Sequence, residues 1–280
     1  MKLSQRLALR YIKTKFRLLS AISKRKAAEK AFALFCTPQY RNKKKLPKIF
    51  EQAETLQLKV ESHNVKGWRW NAGASRKVLI IHGFESSAIN FDRYIKPLTR
   101  KGYEVLAFDA PGHGRSGGKE INAPLYRSTI KEIYKQFGPV QSFMAHSFGG
   151  LAVCLALEEI SHTADYHLVL IAPATETVTA INSFFTFLDL DPAMRPEFDK
   201  IIIRRSGVSP DWFSIKRAMK HIKAKVLWFH DEDDETTPLA DALKLKDENF
   251  PNLQFVITKG LGHRRIYRDN KVTKEIVEFL

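Results

Sequence analysis

Cysteine is scarce in this chain: Cys36 and Cys154 are the two in 280 residues. Both sit in apolar surroundings, so they read as reduced packing residues and exclude a disulfide framework. No apolar run approaches the roughly 20 residues that cross a bilayer. Acid is nearly missing from the start: residues 1–50 hold 15 Lys and Arg against a single acid, Glu29. The remaining residues carry 31 basic and 29 acidic side chains, so the net charge of +16 belongs almost wholly to that first segment. A hydrophobic content of 44% over 280 residues is ample for one α/β domain with a buried core.

Within the basic segment, Leu3, Leu7, Tyr11, Phe16, Leu19 and Ile22 recur roughly at helical spacing. Arg6, Arg10, Lys13, Lys15, Arg17, Lys24, Arg25 and Lys26 fill most other positions. A second apolar stretch, Ala27 to Cys36, stops at Thr37-Pro38, and a basic cluster follows at Arg41-Asn42-Lys43-Lys44-Lys45. An organellar transit peptide is compatible with the basic, acid-poor first 28 residues, and two further readings stay open. One is a solvated helix packed on the rest of the protein. The other is a basic amphipathic helix lying on an anionic membrane surface. Nucleic acid is not an expected partner, because no recognition motif accompanies the charge. Charges interrupt the apolar segment every few residues, which argues against a cleaved secretory signal. The expected location is the cytoplasm, with a peripheral position at the inner membrane surface under the second reading.

Beyond residue 50 the pattern changes. Leu56–Val60 and Val65–Trp70 alternate apolar and polar residues and predict an antiparallel hairpin turning near Ser62-His63-Asn64. Strands are predicted at Val78–Ile81, Glu104–Phe108, His167–Ile171, Val226–Phe229 and Leu253–Ile257, and helices at Phe91–Arg100, Ala123–Gln136, Leu239–Leu245 and Asn270–Leu280. Near-continuous apolar strands alternating with helices imply a mostly parallel sheet covered on both faces. Thr177 to about Ile222 breaks the alternation. It carries Phe184, Phe185, Phe187, Phe198, Trp212 and Phe213 and predicts three or four short helices.

The most informative stretch is Ala145-His146-Ser147-Phe148-Gly149-Gly150. A strand-like run at Gln141–Met144 leads in, and a helix-like run at Leu151–Glu159 leads out. A serine on so sharp a turn exposes its Oγ, and the positions two before and two after it must be small. A serine hydroxyl needs a base within hydrogen-bond reach, an acid to orient that base, and donors for the oxyanion that forms. The base candidate is His263, in a glycine-bearing loop after the last strand, Val256-Ile257-Thr258-Lys259-Gly260-Leu261-Gly262-His263. The acid candidates are the five consecutive acids Asp231, Glu232, Asp233, Asp234 and Glu235, just past the apolar run Val226–Phe229. One should bond the imidazole Nδ1–H; the others read as solvated loop charge. The run lacks the interleaved spacing and central glycine of a divalent-metal loop, so no metal is expected.

These parts together resemble an α/β-hydrolase-fold serine hydrolase, over about Thr55 to Leu280. They are His82-Gly83, the loop Phe108-Asp109-Ala110-Pro111-Gly112-His113-Gly114-Arg115-Ser116, the turn at Ser147, the acid loop, and Gly262-His263. The resemblance extends to the esterase- and lipase-like bacterial branch with a small lid. Two departures stand out: Ala145 replaces the usual glycine, and Asp231 replaces the glycine common after the strand-end histidine. Charge and patterning divide the chain into a basic amphipathic extension at 1–50 and a hydrolase domain at 51–280, with a lid insertion at 177–222 expected to roof the serine. The family places its acid four residues after the strand-end histidine and four before a proline, and both counts select Asp234. It also implies Ser147 as nucleophile, His263 as base, and the backbone N–H groups of Phe84 and Phe148 as oxyanion donors. His82 and His146 read as structural. The implied reaction is cleavage of a small-molecule carboxylic ester with a hydrophobic acyl group, through an acyl-enzyme and without a cofactor. Alternatives are an acyl-CoA thioesterase using Arg264 and Arg265, a lipase acting at a bilayer through residues 1–50, and a non-catalytic ligand receptor. Dehalogenation and epoxide opening are disfavoured, since both need a carboxylate where Ser147 stands.

Overall fold

The computed structural model describes residues 3–280. Eight strands form one sheet: β1 (Glu54–Val60), β2 (His63–Trp70), β3 (Arg76–Ile81), β4 (Tyr103–Phe108), β5 (Ser142–His146), β6 (His167–Ile171), β7 (Lys225–Asp231) and β8 (Leu253–Thr258). Their order is β1-β2-β4-β3-β5-β6-β7-β8. β1 and β2 form an antiparallel hairpin, and β2 runs antiparallel to β4; every other pairing is parallel. The predicted strands are present, with no end moved by more than two residues.

Eleven α-helices occur among the described residues: α1 (Leu3–Ile22), α2 (Lys24–Cys36), α3 (Asp92–Arg100), α4 (Ala123–Phe137), α5 (Phe148–Leu157), α6 (Thr177–Leu188), α7 (Arg195–Ser206), α8 (Ile215–Met219), α9 (Leu239–Lys246), α10 (Gly262–Arg265) and α11 (Asn270–Phe279). None is long and apolar enough to cross a membrane.

The chain divides into two compact units, Pro38–Thr175 with Ser214–Leu280, and Met1–Thr37 with Glu176–Phe213. The first contains the sheet. Its central strands are buried on both faces, which is why they read as unbroken apolar runs. On one face Val78, Ile80, Val105, Ala107, Met144, Val169, Leu227 and Phe229 pack with Tyr94, Ile95 and Leu98 of α3 and Val272 and Ile276 of α11. On the other, Leu79, Ile81 and Phe108 meet Tyr126, Ile130 and Ile133 of α4. The alternation of strand side chains thus supplies two cores, and the sheet holds its C-terminal strand ends in a row.

The second unit is helical. α2 lays Ala27, Ala28 and Ala31, all fully buried, and Phe32 against the insertion. Phe198 of α7 is its aromatic centre, with edge-on contacts to Phe32 at 5.5 Å, Phe35 at 5.8 Å and Phe185 at 5.4 Å. Two aromatics of the insertion, Phe184 and Phe198, are therefore spent on the N-terminal helices. Ser20 Oγ lies 2.9 Å from Asp191 Oδ2, and Lys24 Nζ pairs with the same carboxylate. That hydrogen bond pulls the Asp191 carboxyl down to about 2.

α1 differs from the single apolar face its spacing predicts. Phe16 is buried and Leu19 half-buried, but Leu7, Tyr11 and Ile22 point to solvent. Apolar residues occur on both sides of this helix, and only one side finds a packing partner.

Candidate active site

The strand and helix at the serine run closer to it than the sequence suggests. β5 continues to His146 and α5 starts at Phe148, so Ser147 alone makes the turn. Its φ is +54° and ψ −125°, a left-handed backbone that costs a non-glycine residue roughly 1–3 kcal/mol. Neighbouring glycines are needed for space. A Cβ on Gly149 would lie 2.5 Å from the His82 carbonyl oxygen, and one on Gly150 would lie 2.5 Å from Pro173 Cβ. Ala145 is fully buried in β5 between Ile81 and Leu170, so its methyl meets the steric need that glycine usually fills.

Three residues far apart in the chain converge here. Ser147 Oγ lies 3.0 Å from His263 Nε2. His263 Nδ1 lies 2.8 Å from Asp234 Oδ2. An ionised carboxylate only accepts, so Nδ1 carries the hydrogen and Nε2 is left to accept from the serine hydroxyl. The Asp234 side chain is fully buried. Burial alone would raise its pKa, but the bond and charge of His263, with bonds from Thr237, hold the carboxyl below its ordinary value. Thr236 N and Thr237 N both donate to its Oδ1, at 2.8 and 2.9 Å.

Two further histidines support this group. His230 is buried at the end of β7; its Nε2 donates to Thr237 O at 2.7 Å, fixing the loop that holds Asp234. His146 donates from Nε2 to the backbone oxygen of His263 at 2.9 Å, and its ring lies 4.7 Å from the His263 ring. Burial pushes His146 down to about 3, so it is neutral at physiological pH.

The expected oxyanion donors stand beside the serine. Gly83 passes so close that a Cβ there would be 2.8 Å from Ser147 Cβ. The N–H groups of Phe84 and Phe148 make no hydrogen bond among the described residues. Buried polar groups from the 109–116 loop tie down the loop after Gly83. His113 Nε2 accepts from Glu85 N at 3.0 Å, and Asp109 accepts from Ala88 N at 2.9 Å. His82 accepts from Ala110 N at 2.9 Å. Burial pushes His82 to about 4 and His113 to about 3, so both stay neutral acceptors.

One expectation is overturned. The acids beside Asp234 are not all solvated loop charge. Asp231 is fully buried and accepts from Thr258 Oγ1 at 2.7 Å, Gly262 N at 2.8 Å and Leu261 N at 3.1 Å. Asp233 accepts from Gly260 N at 3.0 Å. These bonds fasten the loop that presents His263. Burial would raise the Asp231 pKa, but the hydrogen bonds outweigh it and hold the carboxyl below its ordinary value. Its contribution to stability is therefore present above the ordinary carboxylate range and is lost as pH falls through the depressed value. The missed signal was the second departure itself: an acid where glycine is usual needs a partner. Asp231→Asn is expected to lower kcat by about 10- to 100-fold through misplacement of the imidazole. Glu232→Gln, on the exposed neighbour, should leave kcat unchanged; steady-state kinetics of both variants checks this.

No group of three or more His, Cys, Asp or Glu among the described residues is arranged to hold a metal ion.

A serine on a left-handed turn between the fifth strand and its helix, in a sheet of this order, is the architecture of the α/β hydrolases, and this chain has the α/β-hydrolase fold. A family model, Hydrolase_4, described as serine aminopeptidase S33, matches residues 72–202. A serine hydrolase-like protein of Homo sapiens is 32% identical over 101 residues, which cover 34% of this chain and 49% of that protein. The esterase Rv0045c of Mycobacterium tuberculosis is 28% identical over 170 residues, 52% of this chain and 56% of its own. The chain thus spans about half the length of these relatives. In fold it resembles the Pyrococcus furiosus esterase Pf2001, with a TM-score of 0.66 at 20% identity over 87% of this chain and 95% of that one.

Proposed function

We propose that this protein is a serine hydrolase that cleaves carboxylic esters with a hydrophobic acyl group through a covalent acyl-enzyme. The observation that carries the proposal is the 3.0 Å contact between Ser147 Oγ and His263 Nε2, backed by the 2.8 Å contact of the same ring to buried Asp234. In this reading His263 takes the serine proton as Oγ attacks the ester carbonyl. The ionised Asp234 stabilises the imidazolium. The unpaired N–H groups of Phe84 and Phe148 receive the oxyanion, where each donor is worth roughly 3 kcal/mol. His263 then protonates the departing alcohol and activates the water that frees the acid.

Two observations bear on the substrate. The half-buried rings of Phe84 and Phe148 meet edge-on at 6.2 Å beside the serine, giving an apolar wall suited to an acyl chain. An aminopeptidase would need a carboxylate free for the substrate ammonium. Of the five acids of the loop, Asp231, Asp233 and Asp234 are engaged as described and Glu232 pairs with Lys259 at 3.3 Å, which leaves exposed Glu235 as the one loop acid whose side chain makes no hydrogen bond or ion pair among the described residues. The thioesterase alternative loses one of its two arginines, because Arg265 donates to Gly260 O and Leu261 O at 2.6 and 3.1 Å; exposed Arg264 stays available to it. The names of the Mycobacterium and Pyrococcus relatives describe the same class of reaction for those proteins.

The test is turnover of p-nitrophenyl esters of increasing acyl length against aminoacyl p-nitroanilides and acyl-CoAs. Esters longer than acetate should be the better substrates. Preference for the anilides or the CoA thioesters would contradict the proposal.

A further inference from the structure

Six of the nine large apolar side chains that stand exposed among the described residues lie in the helical unit: Leu7, Tyr11, Leu18, Ile22, Phe187 and Ile203. Four of them are on α1, with exposures of 57, 69, 60 and 80% for Leu7, Tyr11, Leu18 and Ile22. Their spacing is i, i+4, i+11 and i+15. At about 100° per residue these positions fall within an arc of about 60°. They make one stripe along the outer side of the helix. The opposite side, with Phe16 and Ser20, is the buried one. Contiguous exposed apolar residues on a folded protein mark a surface that is covered in use.

The flanks of the stripe identify what covers it. Arg6, Arg10 and Arg17 run along one side and Lys15 along the other; all four are exposed. None pairs with an acidic side chain among the described residues, and α1 contains no acid. A second copy of the chain would bring the same positive charge against this stripe. A nucleic acid would satisfy the arginines but leave two leucines and an isoleucine in water. A bilayer with anionic headgroups satisfies both, since apolar side chains enter the acyl boundary while Arg and Lys meet the phosphates.

We infer that the outer stripe of α1 is a docking surface for anionic phospholipid membrane. The inference is independent of what Ser147 cleaves, because binding is read without turnover. It rests on the one-sided burial of α1, which periodicity alone does not reveal.

The experiment compares the full chain with a variant carrying Leu7→Gln, Tyr11→Gln, Leu18→Gln and Ile22→Gln in co-sedimentation with phosphatidylserine-containing vesicles and with pure phosphatidylcholine vesicles. All four positions are exposed, so the circular dichroism and thermal melt should be unchanged. The unaltered chain is expected to bind the anionic vesicles at least about tenfold more strongly than the neutral ones, with binding weakened by salt. The variant should lose about tenfold or more on the anionic vesicles. Absence of vesicle binding by the unaltered chain would overturn the inference, and so would equal binding by the variant. Tighter binding to duplex DNA or RNA than to vesicles, or a dimer that the variant dissociates without any vesicle binding, would assign the stripe to another partner and reject the membrane.

Discussion

Ser147→Ala is expected to abolish ester turnover while leaving the protein folded. Removing the nucleophile of such a group typically costs about 10⁶-fold in kcat, with a residual rate supplied by binding and oxyanion stabilisation. The fold should survive because Ser147 Oγ makes one hydrogen bond among the described residues, to His263, and the backbone turn is fixed by other groups. Ser147 N donates to Ile171 O at 3.1 Å, and its oxygen accepts from Gly150 N at 2.9 Å and Ala174 N at 3.0 Å. Alanine keeps all three bonds and the same backbone strain. Steady-state kinetics on p-nitrophenyl butyrate, beside a thermal melt, measures both parts. A variant that retains more than about a hundredth of the rate would place the chemistry elsewhere.

Asp234→Asn is expected to cost about 10⁴-fold in kcat with little change in KM. The carboxamide can still accept from Thr236 N and Thr237 N through its oxygen. What it cannot do is accept from His263 Nδ1–H through its nitrogen. The imidazole then turns to the tautomer with hydrogen on Nε2, which donates to Ser147 instead of accepting from it. The negative charge that balances the imidazolium is also gone. Because Asp234 is ionised well below neutrality, raising the pH should not restore the loss. A loss smaller than about tenfold would mean that another acid serves the base.

Much of this arrangement is legible in the sequence, for physical reasons. The strands buried on both faces announce themselves because both sides of each must be apolar. Ser147 is legible because a turn this tight admits only small neighbours. His263 is legible because a flexible glycine loop follows the last strand. Asp234 is harder: five adjacent acids carry the same chemistry, and the resemblance decides among them by spacing. The choice has a physical basis only in the fold, where Asp234 alone of the five meets the imidazole.

Other features depend on partners the linear order does not pair. Asp231 looks like loop charge until Thr258, Leu261 and Gly262 come back across it. The bond between Ser20 and Asp191 joins residues 171 positions apart, so nothing near either one predicts that the N-terminal helices pack on the insertion. The two faces of α1 share one periodicity, because Phe16 and Leu18 are equally apolar. Which of them is buried is decided by α2 and α6, not by α1.

The most direct test of the central claim is mass spectrometry of the full chain after brief exposure to a fluorophosphonate. One phosphonyl adduct per molecule, located on the peptide that carries Ser147 and formed far more slowly by His263→Ala, is the predicted result. An unmodified Ser147, or an adduct whose rate does not depend on His263, would contradict it.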